Sequence, residues 1–370
     1  MVSIGFVYFC SVIKNNYELQ NDGTMKNILS KRTFIVLPLF LFSLHPLWGQ
    51  KSNFKNDICI PGKLYMLSDI RNDVFVEALI KRWRPYNDFV RFSGDCVYSR
   101  KLNRVASVDT PVDGSNMKIE LVNSDEFEII KEKAISICVG KKGIGTQEVT
   151  VQILGDSFVN GAFFRDALLS KNYIPGIKLV GLRNIKNEEG QYDEGRGGWT
   201  VKKYFEIPKG EMTSYHGYMQ PVGEYRYWGS CEFWKNCYKV INGELTDTEI
   251  VYNCGRYDQC ITKFDKETGY LAAPKKNDLM YDNARGSYMV YTGKKWKNVE
   301  VDERKWAFNY RKYLDMWNLD APKFFAQMLG LNDYRDSLTA DYREWNKKIA
   351  EMKESYYKAV PDGKFIILIP

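Results

Sequence analysis

The sequence predicts a small all-β domain followed by an α/β domain built on a parallel sheet, and three observations predict it. From about residue 57 to 148 the chain carries short apolar or alternating runs broken by Gly, Asn and Asp turns. Beyond them stand near-continuous apolar runs, as expected of strands buried on both faces. Between those runs apolar residues recur at spacings of three and four, the period of a helix packed on one side.

In chain order, the runs of the first domain are Lys63 to Leu67, Val74 to Leu79, Met117 to Leu121 and Ile135 to Val139. The strands predicted for the second are Val149 to Leu154, Ile177 to Leu182, Phe324 to Leu329 and Lys364 to Ile369. Phe158, Val159, Ala162 and Phe163 form one helical stripe, and Trp306, Tyr310, Tyr313 and Trp317 a second. A third holds Leu338, Tyr342, Trp345, Ile349 and Met352. These read as packing faces. The segment from about 203 to 300 is rich in Tyr, Trp and Gly without a clear period, and reads as a long insertion rising from one end of the sheet. The expected boundaries are an upstream extension and leader over 1–50, a β-sandwich-like domain over 51–148, and the α/β domain over 149–370.

At 370 residues the chain is long enough for about two domains, and its 44% apolar and 15% aromatic content argues against disorder. The net charge of +7 is spread rather than gathered into a basic tract, so no nucleic-acid partner is expected. From Met25, basic residues lead into the apolar stretch Phe34 to Leu44 and then Gly49 and Gln50, the layout of a secretory signal. The stretch falls short of the about 20 residues a membrane span needs. A secreted or periplasmic protein with no stable membrane span is the expectation. Beyond the leader lie seven cysteines: Cys59, Cys96, Cys138, Cys231, Cys237, Cys254 and Cys260. Their spacing departs from zinc-knuckle patterns, so disulfides of open connectivity are expected, with no metal and no cofactor.

Three segments carry chemistry. The first predicted strand ends in Gly155-Asp156-Ser157, and a helix starts at once, so the serine leaves the carboxyl end of the sheet, where ligands of open α/β sheets bind. The helix start offers free N–H groups to an oxyanion forming there. Ser and Asp are also ordinary helix caps, so this triplet alone is weak. Glu194-Gly195-Arg196-Gly197-Gly198-Trp199-Thr200 follows the second strand, and Gly330-Leu331-Asn332-Asp333 ends the third. Asp156 and Asp333 are expected to brace these loops through backbone N–H groups, and Arg196 to be solvated or paired with a carboxylate rather than to touch substrate.

With these blocks in this order, the chain resembles the SGNH hydrolase family over about 149–370, with an accessory β-rich domain ahead as in some exported bacterial carbohydrate esterases. The resemblance implies a flavodoxin-like, three-layer α/β/α fold. It implies Ser157 as nucleophile, with the N–H groups of Ser157 and Gly198 and the side-chain amide of Asn332 as oxyanion hole, supported by Gly155, Asp156, Gly330 and Asp333. The function it implies is hydrolysis of acyl, especially acetyl, esters on carbohydrate or another small ester, through an acyl-serine intermediate. The family's closing Asp-x-x-His is absent. Of the two histidines, His45 lies in the leader, and His216 lies in the insertion, where a packing or surface role is expected. The final apolar run with nothing after it predicts a chain that lacks its C-terminal block. A non-catalytic glycan-binding protein is the alternative, and an unstable fragment a third. Trp228, Trp234 and Trp296 are candidates either to stack on sugar rings or to fill a small core of the insertion.

Overall fold

The computed structural model describes residues 57–58, 62–68, 71–76, 79–81, 88–95, 97–100, 105–123, 126–140, 148–170, 176–183, 191–254, 257–334 and 342–368. The proposed leader, His45, Cys59, Cys96, Leu338 and Ile369 lie outside the described residues. The chain divides into two compact units at residues 141/142.

The described part of the N-terminal unit is built from β1 (Asp57–Ile58), β2 (Lys63–Leu67), β3 (Asn72–Phe75), β4 (Ile80–Lys81), β5 (Asp88–Gly94), β6 (Val97–Arg100), β7 (Val105–Val108), β8 (Asn116–Asn123) and β9 (Ile129–Gly140). They form sheets in the orders β2-β9-β8-β5, β3-β7-β6 and β1-β4. The β2/β9 pair is parallel and β5/β8/β9 antiparallel. Alternation explains the burial: Met117, Ile119 and Leu121 of β8 and Ile135 and Ile137 of β9 point inward and are fully buried. With Val74, Val90 and Val108 they make an aliphatic core.

The second unit begins with β10 (Val149–Gly155), α1 (Ser157–Asn160), α2 (Phe163–Ser170), β11 (Ile177–Leu179) and β12 (Glu194–Gly195). Next come β13 (Met219–Pro221), β14 (Arg226–Ser230), α3 (Cys231–Ile241), α4 (Thr248–Cys254) and α5 (Asp258–Ile261). Then follow β15 (Asp278–Asp282), β16 (Ser287–Tyr291), β17 (Trp296–Val299), β18 (Trp306–Phe308) and α6 (Tyr310–Trp317). The unit closes with β19 (Phe324–Met328), α7 (Leu331–Tyr334), α8 (Tyr342–Ala359) and β20 (Lys364–Ile367). One sheet runs β11-β10-β19-β20 with β12 also on β10, all parallel. A second runs β14-β15-β16-β17 and is mixed, and β13 pairs antiparallel with β18.

This architecture corrects the expected fold class. Strand outweighs helix, 37% to 26% of the described residues, and several sheets are antiparallel or mixed, so the molecule is not a clear three-layer α/β/α sandwich behind a small β domain. The physical reason lies in the stretch read as an insertion. Many of its aromatic residues, among them Tyr204, Tyr215, Tyr218, Tyr227, Trp234 and Tyr257, are buried on all sides, which blurs any amphipathic period, and they pack in one cluster with Leu154, Phe325 and Leu329 of the parallel-sheet region. The first helical stripe also splits, because Ala162 takes φ 63° between α1 and α2. Trp306 belongs to β18, not to the helix that follows it.

Candidate active site

At the carboxyl end of β10 the chain passes through a place where only glycine fits. A Cβ on Gly155 would sit 2.4 Å from Val159 Cγ2 and 2.9 Å from the Met328 carbonyl oxygen. Asp156, buried, then caps α1: its Oδ1 accepts the Phe158 N–H at 3.1 Å. The neighbouring aspartate does the capping, and Ser157 stands exposed as the first residue of the helix.

The glycine-rich segment is laid against this turn. Leu154 and Gly155 pair with Glu194 and Gly195, and the Arg196 N–H donates to the Gly155 carbonyl at 2.9 Å. A Cβ on Gly195 would lie 2.2 Å from the Asn160 nitrogen, so β12 can touch α1 only through glycine. Arg196 to Trp199 form a turn closed by the Trp199 N–H on the Arg196 carbonyl (3.3 Å), with Gly198 at φ 70°. Among the described residues, neither the Ser157 nor the Gly198 N–H donates to a protein acceptor.

Asn332 and Asp333 on α7 complete the cluster. The Asn332 side-chain Nδ2 donates to the Trp199 carbonyl at 3.1 Å and reaches Asp156 Oδ2 at 3.4 Å. The Asp333 carboxylate accepts the Val201 N–H at 3.0 and 3.1 Å. The segments carrying Gly155, Asp156 and Ser157, then Gly198, then Gly330, Asn332 and Asp333 are thus brought together at one end of the parallel sheet. Burial raises the Asp156 carboxyl above its ordinary range, opposed by the Phe158 N–H and aided by the Asp333 charge. Burial likewise raises Asp333, against the pull of the Val201 N–H.

Arg196 is the anchor of the glycine loop. It is fully buried, forms a 2.8 Å ion pair with Glu194, and donates to the Tyr215 carbonyl at 2.8 Å and the Ser214 hydroxyl at 3.2 Å. Its guanidinium lies over the rings of Trp199 and Tyr204 at 5.2 and 5.5 Å. Burial opposes its charge, but Tyr257 and Glu194 hold it firmly protonated. The carboxylate-paired alternative raised for it is the one observed. Asp193, next to this pair, is pushed up to about 7 by burial, although the Gly195 N–H on its Oδ1 and the charges of Arg183 and Arg165 pull the other way.

Two residues of this site carried no sequence signal of their own. The Tyr204 hydroxyl donates to the Gly155 and Glu194 carbonyls at 2.8 and 2.7 Å, tying the serine turn to the glycine loop. Tyr252 of α4, well exposed, lays its hydroxyl so close over Gly197 that a Cβ there would lie 1.0 Å from it. The only hint was their place in a tyrosine-rich stretch near a glycine-rich run.

No base stands beside Ser157 among the described histidines. His216 is buried; its Nδ1 accepts the Tyr218 N–H at 3.2 Å, so its Nε2 carries the proton and donates to the Glu206 carbonyl at 2.9 Å. Burial, with help from Arg196, lowers it to about 3, which keeps the ring neutral. Its role is packing among Trp199, Tyr204 and Tyr218. Trp228 and Trp234 are buried in the shared core, where their indoles donate to Asp278 Oδ1 (2.9 Å) and the Trp228 carbonyl (2.6 Å), so neither offers a face to a sugar. Trp296 remains half-exposed against Tyr270 and Tyr291.

The expected disulfides are not found among the described residues: Cys138, Cys231, Cys237, Cys254 and Cys260 are all thiols. No described helix is long and apolar enough to cross a membrane. No family model matches the chain, and no curated protein matches it.

Proposed function

We propose that the chain is an exported serine ester hydrolase of the SGNH type, in which Ser157 takes the acyl group, acetyl above all, from an acylated carbohydrate. The observation that carries this reading is the Asn332 side chain at 3.1 Å from the Trp199 carbonyl and 3.4 Å from Asp156, which holds the three polar segments around an exposed serine.

In this reading Ser157 Oγ attacks the acyl carbonyl, its proton passes to a base, and charge collects on the carbonyl oxygen. The N–H groups of Ser157 and Gly198, which have no protein acceptor among the described residues, serve that oxygen in this reading, and Asn332 joins them by giving up its longer, 3.4 Å contact to Asp156. Each such donor is worth about 10²–10³ in rate. Collapse expels the sugar hydroxyl and leaves acyl-Ser157, which water then cleaves. Asp156 holds the helix start and Asp333 the Val201 end of the glycine loop, so both keep the donors aimed. Because His216 is neutral and occupied at both nitrogens, the base must come from elsewhere, and imidazole in solution can stand in for it.

The test uses a fluorophosphonate probe followed by peptide mapping, and acetate release from acetylated oligosaccharides with and without added imidazole. A single adduct on Ser157, lost in Ser157→Ala, and an imidazole-dependent release lost in the same variant are expected. Equal labelling or release in Ser157→Ala overturns the reading. The occupied His216 also favours a second reading, a glycan-binding protein without acyl transfer. Saturable oligosaccharide binding with no adduct on Ser157 would select it.

A further inference from the structure

Among the described cysteines, two lie where neither the site nor the core requires sulfur. Cys237 stands in the middle of α3 and Cys254 at the end of α4, and both are fully buried. The two helices pack along each other, and Cys254 is the neighbour that acts most strongly on the Cys237 thiol. Cys254 Sγ also reaches the Phe233 carbonyl, one turn before Cys237, at 4.0 Å, which fixes the height at which α4 meets α3.

Geometry excludes Cys231 as the first partner of Cys237. Cys231 begins α3, six residues before Cys237, so the two Cα atoms are about 9 Å apart along the axis, beyond the reach of a disulfide. Its Sγ instead contacts Asn283 at 4.0 Å. Cys260, on α5, also acts on the Cys237 thiol, and linkage to it is one outcome that peptide mapping separates.

We propose that Cys237 and Cys254 are a dithiol that closes to a disulfide in an oxidising compartment. The consequence follows from what α4 carries. Two residues before Cys254, Tyr252 places its hydroxyl over Gly197, and its carbonyl accepts from Arg183 Nη2 at 3.2 Å. Arg183 Nη2 also donates to Asn160 Oδ1 at 3.2 Å, on the helix that Ser157 begins. A covalent tie at Cys254 therefore holds Tyr252 against the glycine loop.

The chemistry balances with a small disulfide such as oxidised glutathione. The Cys254 thiolate attacks one glutathione sulfur, forming a mixed disulfide and releasing one glutathione thiolate. The Cys237 thiolate then attacks Cys254 Sγ and releases the second. Two protein thiols are oxidised, one glutathione disulfide is reduced to two thiols, and the two protons end on glutathione. Burial raises the Cys237 thiol strongly, with the neighbouring Cys254 adding to it and the Arg183 charge opposing, so exchange proceeds through opening of α4 or while the chain folds.

The experiment incubates the full chain with oxidised glutathione, alkylates it under denaturing conditions, and maps unreduced peptides by mass spectrometry. A peptide pair linked through Cys237 and Cys254, with Cys231 and Cys260 alkylated, is expected. The oxidised protein should melt about 6 °C above the dithiothreitol-treated one, a difference lost in Cys237→Ser and in Cys254→Ser. Alkylation of both thiols in the oxidised sample, or linkage of either to another cysteine, overturns the proposal. Because both serine variants keep a small polar side chain, a folded variant that retains the oxidation-dependent shift overturns it as well. Mapping does not depend on the esterase reading, so either can fail without the other.

Discussion

The two units of this protein solve the same problem, burying a core, with opposite materials. Around β8 and β9 the N-terminal core is aliphatic, with Phe92 as its one aromatic member among the described residues. Between the parallel sheet and α3 to α6 the second core is aromatic, holding Tyr204, Tyr215, Tyr218, Tyr227, Tyr257, Tyr310 and Tyr313 with Trp199, Trp228, Trp234 and Trp317. A methyl group supplies volume without direction, whereas a buried phenol must also find a partner for its hydroxyl. Tyr204 bonds Gly155 and Glu194, Tyr313 bonds Glu194 at 2.5 Å, and Tyr310 bonds Gln152 at 2.6 Å. Tyr218 is an exception: its hydroxyl has no partner among the described residues, and its ring is stacked at 4.3 Å on Tyr313 and 4.8 Å on Phe308. The aromatic core therefore dictates where the serine turn and glycine loop stand, while the aliphatic core only holds sheets together.

The contrast breaks most visibly at Arg196. Arg196→Met leaves the Glu194 carboxylate buried without its cation and should cost about 3–5 kcal/mol in urea denaturation, with loss of probe labelling at Ser157. A cost under about 1 kcal/mol would show that the loop does not depend on this pair. Next in size is a pH effect. Asp193 has its folded value raised to about 7 from an unfolded value of about 3.9, so the folded state holds its proton more tightly. Its stabilising contribution is fully present below about pH 4 and is lost as pH rises through about 7. His216, lowered to about 3, acts oppositely, since its contribution is present above about pH 6.5 and is lost as pH falls. In the native protein the two partly cancel. Asp193→Asn should therefore lose stability more steeply on acidification from pH 7 to 4, as read by melting temperature; an unchanged slope would remove Asp193 from the account. The smallest effect belongs to the aliphatic core: Ile137→Val, at a fully buried position of β9, should cost about 1 kcal/mol and leave Ser157 labelling untouched. A change in labelling there would mean that the two cores are not separable in effect.

The segments now seen as β10 and β19 were legible because a strand buried on both faces is apolar at most positions, as Val151, Ile153, Leu154, Phe325 and Ala326 show beside the buried Gln152 and Gln327, and β20 because its run Phe365 to Ile367 is wholly apolar. The Gly-Asp-Ser, glycine-rich and Gly-Leu-Asn-Asp segments stood out because tight turns and close backbone approaches admit few residue types, as Gly155 and Gly195 demonstrate. The stretch from 203 to 300 was not legible. Many of its aromatic side chains are buried by contacts distant in sequence, and side chains enclosed on every side leave neither a period of two nor one of 3.6.

The sequence by itself determined which residues could form the site, since it contains one serine after a Gly-Asp turn, one Gly-Leu-Asn-Asp and a histidine supply limited to His45 and His216. Only the tertiary structure decided what those residues do together. It turned Asn332 toward Trp199, spent both nitrogens of His216 on the backbone, buried Trp228 and Trp234 away from any ligand, and set Tyr252 over Gly197. The reason is physical: residue type limits the chemistry a side chain can perform, but its partners, its dielectric surroundings and its exposure are properties of neighbours that the chain brings near only when folded.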